Sequence, residues 1–159
     1  METWDEAARW ALEGIFTQVR RQPRADLAQI RSDLDGFIDD LFHAPAGFHK
    51  AAAMWAVIGG DAVELSIKRG VPQTIDGVHA TLVRKQRDYG HENIRRFGRQ
   101  GLMVRMHDKV ARLENLLSSS DGGVKPNNES IEDNIMDVIG YAAIGMMWES
   151  RLFLLPLAE

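Results

Sequence analysis

Residues 130 to 154, SIEDNIMDVIGYAAIGMMWESRLFL, restrict the fold more than any other segment, because read as one helix they are apolar nearly all the way round. Ile131, Ile135, Val138 and Ala142 form one stripe, while Met136, Ile144, Met147 and Trp148 cover the other side. A helix without a polar face has to be surrounded, so this one is expected at the centre of a bundle or against a second subunit. The rest of the chain offers the surround. Trp4, Ala8, Leu12, Ile15 and Val19 make one helical stripe, expected to stop at the QPR of residues 22 to 24, and Leu27, Ile30, Leu34, Ile38 and Leu41 make a second that ends before HAPAG. A third helix is expected over residues 48 to 68, with Gly59-Gly60 inside it for close packing or a bend.

A fourth helix begins near Thr74 and runs to Arg87, broken by the Tyr-Gly pair at 89 and 90, with a short piece around Asn93 to Phe97 after it. The fifth, Leu102 to Leu117, is plainly amphipathic: Leu102, Met106, Val110, Leu113 and Leu117 share a stripe, and Asp108, Arg112 and Asn115 gather opposite. SSSDGGVKPNN, residues 118 to 128, reads as a loop. No run alternates with period two, so the fold class is all-α: a bundle of five to six helices. At 159 residues this is one domain, with N-terminal helices over 1–72 and a core over 73–154.

The chain has no cysteine, so any metal must be held by oxygen or imidazole, which favours Mg²⁺ or Mn²⁺. The five histidines show no HExxH or i, i+4 pairing, and no phosphate-binding glycine loop or nucleophile elbow is present. Three acids fall in the first six residues and no apolar run reaches the ~18 residues of a membrane span, so a cytoplasmic protein without a membrane segment is expected. The net charge of -4 hides a local excess: residues 84 to 112 hold nine bases against three acids. The acidic whole makes nucleic acid an unlikely partner in principle, whereas a small polyphosphate needs only a local patch.

Chemistry is expected where that patch meets the last helix. Asp133 and Asp137 stand one turn apart, and Asp108 on the neighbouring helix would complete an oxygen cage for Mg²⁺. Arg105, Lys109 and Arg112 would hold phosphate, and Tyr89 in the DYGHEN block could stack on a base. The plainer reading pairs Asp108 with Arg112 on the surface, leaves Asp133 to favour a helix N-terminus, and makes Asp88 and Asn93 turn and cap residues; spacing leaves both open. Asp61 and Glu64 share a face of the third helix at i, i+3, a spacing common on solvated surfaces.

The order DYG-x-x-N, then GL-x-VR-x-x-DK-x-x-R-x-x-N-L, then ES-x-x-D-x-x-x-D-x-x-GYA resembles the first nucleotide-modification-associated domain family of phages and bacteria, over about residues 75 to 150. In character it is similar to the MazG-like all-α nucleoside triphosphate pyrophosphatases. That resemblance implies a four-helix core, a homo-oligomer (dimer or tetramer), and Mg²⁺-dependent release of pyrophosphate from a (deoxy)nucleoside triphosphate or modified nucleotide, in a bacterial or phage-infected cytoplasm. On these positions Asp108, Asp133 and Asp137 would be catalytic and metal-binding, and Tyr89, Asn93, Arg105, Lys109, Arg112 and Asn115 would bind the nucleotide. The pyrophosphatases share an ExxE and an ExxD on successive helices; here the only ExxE is Glu129 to Glu132 and the only ExxD is Glu2 to Asp5, so Asp61 and Glu64, outside the resemblance, are candidates for the missing acids beside their solvated-face reading. Two alternatives to hydrolysis are a non-catalytic nucleotide sensor or sponge and an accessory subunit of a base-modification system.

Overall fold

The computed structural model describes residues 1–19, 26–43, 48–118 and 130–159; the expected helix stop at 22–24, most of the HAPAG turn and the loop after Ser118 lie outside the described residues. Among the described residues there are seven helices and no strand: α1 (Trp4–Phe16), α2 (Leu27–His43), α3 (Phe48–Lys68), α4 (Ile75–Tyr89), α5 (Glu92–Arg95), α6 (Gly98–Ser118) and α7 (Ile131–Glu149). The expected all-α bundle is therefore the fold observed, the seventh helix being the single turn α5.

α7 is the axis of the bundle and packs against α1, α3, α4 and α6, while α2 covers α3 and α6. Its apolar girth is thus consumed within one chain, and no second subunit is needed to cover it. Ile135, Val138, Ala142 and Met147 are fully buried, as are Trp4, Ala8, Leu12 and Ile15 on α1 and Leu102, Met106, Val110 and Leu113 on α6, so the stripes read from periodicity are the core faces. α3 runs unbroken through Gly59 and Gly60, from Phe48 to Lys68. A Cβ at 59 would stand 2.9 Å from both Ala142 Cβ and Ile15 Cγ2, so glycine lets α3 meet α1 and α7 at backbone distance.

Caps set the helix starts. Thr3 and Glu6 form a capping box on α1, and the amides of Glu2 and then Thr3, donating to Glu6 at 2.8 and 3.3 Å, hold the Glu6 carboxyl below the usual carboxylate range. Thr74 caps α4 by accepting from Gly77 N–H at 3.0 Å.

The last helix departs from expectation by ending at Glu149 rather than near Leu154. Leu152 N–H donates to Met147 C=O at 2.8 Å and Arg151 N–H to Trp148 C=O at 3.1 Å, with Arg151 left-handed at φ 59°. This is a Schellman stop with arginine where glycine is usual, so no residue type announced it. The chain then crosses the end of the bundle as a strap. Trp4 N–H donates to Pro156 C=O at 2.7 Å, Ala158 N–H to Asp5 Oδ1 at 2.8 Å, and Phe153 lies buried against the edges of Trp4 and His91.

Candidate functional site: a cationic cavity between α4, α6 and α7

Three helices each turn an i, i+4 pair into one cavity of about 290 Å³. α4 contributes Lys85 and Tyr89, α6 contributes Arg105 and Lys109, and α7 contributes Asp137 and Tyr141. Residues four apart lie on one helix face, so each helix presents a charge and a second polar group in register. Gln86 and Asn93 add amides, and Leu82, Ile94 and Ile144 form the apolar part of the wall. Gly140 keeps α7 close to α4, since a Cβ there would meet Leu82 Cδ2 at 3.0 Å.

Asp137, with a side chain 15% exposed, sits between two ammonium groups: Lys85 Nζ is 3.1 Å from Oδ1 and Lys109 Nζ is 2.9 Å from Oδ2. Each carboxylate oxygen is therefore met by a cation from a different helix. Tyr89 stands at the rim, 67% exposed, with its ring open to a planar ligand. Asn93 Oδ1 is buried without a hydrogen-bond partner among the described residues, a condition that costs about 1–3 kcal/mol where no water reaches it.

Of the residues expected at the site, Tyr89, Asn93, Arg105, Lys109 and Asp137 converge here, and four do not. Asp108 is exposed and lies outside the cavity wall because it precedes Lys109 by one residue, about 100° round the helix. Asp133 is exposed and belongs to the capping box of α7: its Oδ2 accepts from Ser130 N–H at 3.3 Å and its N–H donates to Ser130 Oγ at 3.0 Å. Arg112 and Asn115 are exposed beyond the cavity, further along α6. Asn93, by contrast, is no cap; it lies inside α5, whose N-cap is His91.

The oxygen cage expected for Mg²⁺ from Asp108, Asp133 and Asp137 is therefore not assembled. Among the described residues no group of three or more His, Asp or Glu is placed to hold a metal ion. A divalent cation at Asp137 would have to displace two ammonium groups that already pair with it, and among the described residues no second carboxylate lines the cavity beside it. Asp61 and Glu64 are turned inward rather than solvated, Glu64 being only 4% exposed, and each engages a partner within the fold.

Sequence reasoning missed Lys85, Gln86 and Tyr141 as wall residues. The i, i+4 spacing of Lys85 with Tyr89 and of Asp137 with Tyr141 carried the signal. His91 supports the wall from behind: its Nε2 donates to Leu155 C=O at 2.8 Å, and its Nδ1 is 3.3 Å from Gln86 Nε2, which donates to it.

A second concavity of about 580 Å³, lined by Ile38, Leu41, Phe97, Met103 and Val104 among others, is larger but mostly apolar and carries no comparable set of charges. No helix among the described residues is long and apolar enough to cross a membrane. In comparisons with known proteins, no family model, no curated protein and no solved structure matches this chain.

Proposed function

We propose that this protein is a nucleotide-binding protein whose α4–α6–α7 cavity takes a phosphorylated nucleoside directly on protein cations, as a sensor or store rather than as a metal-dependent hydrolase. The observation that carries the reading is the convergence of Lys85, Lys109 and Arg105 on one partly enclosed cavity beside two tyrosines and two amides. Phosphate suits the ammonium groups and the planar guanidinium fork, and a base suits the open face of Tyr89. Hydrolysis of the phosphate chain would require an activated water or a nucleophile, and of the three acids expected to supply a metal for it Asp108 and Asp133 lie outside the cavity while Asp137 is paired with two lysines. A nucleotide ligand and a cytoplasmic setting are part of this proposal, in line with the resemblance read from residues 75 to 150, to which no family model corresponds.

The test is calorimetric titration with the deoxynucleotides, followed by an assay for released pyrophosphate on the same samples. Saturable binding without pyrophosphate is expected, and Lys109→Ala should weaken it by about tenfold to a hundredfold, as expected for a lost charged hydrogen bond of ~1.5–3 kcal/mol. Pyrophosphate release would return the protein to the pyrophosphatase class, and absence of binding to every nucleotide would remove the ligand class altogether.

A further inference from the structure

We infer that the strap of residues 150–159 is the output of the sensor: nucleotide in the cavity and the docked strap stabilise each other. The inference rests on the nucleotide-binding reading above and concerns the regulation of that same site. The strap is seated on the back of the cavity wall. Trp4 lines the cavity, its ring stands edge-on to Phe153 at 6.2 Å between centroids, and its backbone N–H donates to Pro156 C=O at 2.7 Å. Gln86 lines it too; its amide donates to His91 Nδ1 at 3.3 Å, and His91 Nε2 donates to Leu155 C=O at 2.8 Å. The His91 ring is in turn edge-on to Phe153 at 5.5 Å. Phe153 therefore backs both Trp4 and the residue that holds Gln86 in place.

The strap can open at a smaller cost than the helices. It contains no helix, and within residues 150–159 Phe153 alone is buried, while Leu154 is 53% exposed. Segments with few buried apolar contacts open locally while the rest of a fold stays closed. Arg151, from which the strap swings, is left-handed at φ 59°, a conformation that a side chain disfavours. The ties further along are polar and few: Ala158 N–H donates to Asp5 Oδ1 at 2.8 Å, and the Arg87 guanidinium donates to Ala158 C=O at 3.2 Å. Release of the strap takes the Phe153 edge from Trp4 and the acceptor from His91, which frees the Gln86 amide to turn. A nucleotide that fits the wall as it stands therefore favours the docked strap. Coupling of this kind is reciprocal, so whatever draws the strap away lowers nucleotide affinity by the same factor.

Amide hydrogen exchange tests this on the full chain, alone and saturated with the tightest-binding of the four deoxynucleoside monophosphates and four triphosphates. The amides of Trp4 and Ala158, which bond across the strap, should exchange about tenfold more slowly with ligand, within the roughly 5–150-fold usual for coupled sites. The amide of Phe37, inside α2, a helix that gives the cavity no residue, should slow less. Equal slowing at all three amides is general stabilisation and would overturn the inference, as would no slowing at Trp4 and Ala158. Calorimetry then compares the wild type with Phe153→Ala, whose Kd should rise about tenfold, and with Leu154→Ala, at an exposed position of the strap, whose Kd should not change. A folded Phe153→Ala that binds as tightly as the wild type would overturn the inference while leaving nucleotide binding intact. Asp5→Ala cuts the tie to Ala158 from outside the cavity and serves where Phe153→Ala does not fold. Its Kd should rise about threefold, as for one lost hydrogen bond, and an unchanged Kd there overturns the inference too. Binding by none of the nucleotides defeats the underlying reading instead.

Discussion

Asp133 and Asp137 share one face of α7, yet one is an exposed capping residue and the other the centre of a charged cavity. The difference is depth: Asp133 lies in the first turn of the helix, where backbone amides need acceptors, while Asp137 lies one turn inward, where α4 and α6 close over it. Asp133→Asn should accordingly leave nucleotide affinity unchanged within error and cost a few tenths to ~1 kcal/mol of stability through the weakened capping box, read as a small fall in Tm. Asn93 tests the wall differently. Its buried, unpartnered Oδ1 is a liability in the free protein, so Asn93→Leu should raise the Tm by removing a cost of about 1–3 kcal/mol and at the same time weaken nucleotide binding. A rise in Tm with unchanged affinity would remove Asn93 from the site. Spacing could place these residues on helix faces but could not say which face a neighbouring helix would cover, and for that reason Lys109 and Asp137 were legible while Lys85 and the exposure of Asp108 were not.

At the scale of the element, two glycines inside helices should respond oppositely to the same substitution. Replacing helical glycine by alanine gains up to ~1 kcal/mol of intrinsic propensity. At Gly36 in α2 a Cβ would meet nothing within 4 Å, so Gly36→Ala should raise the Tm. At Gly145 in α7 the Cβ would lie 2.3 Å from Trp55 Cδ2, and Trp55 is fully buried with its ring set edge-on to Phe37 at 4.9 Å between centroids. Overpacking there costs about 1–3 kcal/mol or more and exceeds the propensity gain, so Gly145→Ala should lower the Tm. Both glycines look alike in a sequence. Only the packing of α3 on α7 separates them, just as only the backbone around Arg151 shows where α7 stops. Helix starts were easier to read, because Thr74 and Ser130 accept from backbone amides with side chains whose chemistry is visible in the residue type.

Across the whole molecule, ion pairs tie the helices at several places. Arg99, at the start of α6, forms a two-pronged pair with Glu149, at the end of α7, and Arg31 on α2 grips Glu114 on α6. The Arg31 guanidinium holds the Glu114 carboxyl below its ordinary range. A carboxylate whose pKa is lower folded than unfolded stabilises the fold above its unfolded value, about 4.3, and that contribution is lost as the pH falls through the folded value. Arg31→Gln should therefore lower the Tm at neutral pH, and the gap to the wild type should narrow in acid below about pH 4; because Glu114 is partly exposed, the effect stays near the ~1 kcal/mol of surface pairs. A gap that does not depend on pH would show that Arg31 acts through packing alone. The overall architecture was legible because an all-apolar helix admits few arrangements, and the site was half legible because its cations are clustered in sequence while its one half-buried acid, Asp137, is not distinguishable there from the exposed ones.

The claim that the cavity grips phosphate with protein cations and not through a metal is tested most directly by measuring one equilibrium constant twice. The Kd of the tightest-binding deoxynucleotide is taken by calorimetry in EDTA and again in excess Mg²⁺. With Lys85, Arg105 and Lys109 as the phosphate contacts, binding should persist in EDTA and be equal or weaker with Mg²⁺, which competes for the phosphate. Binding that appears only when Mg²⁺ is added would contradict the account and restore Asp137 as a metal ligand.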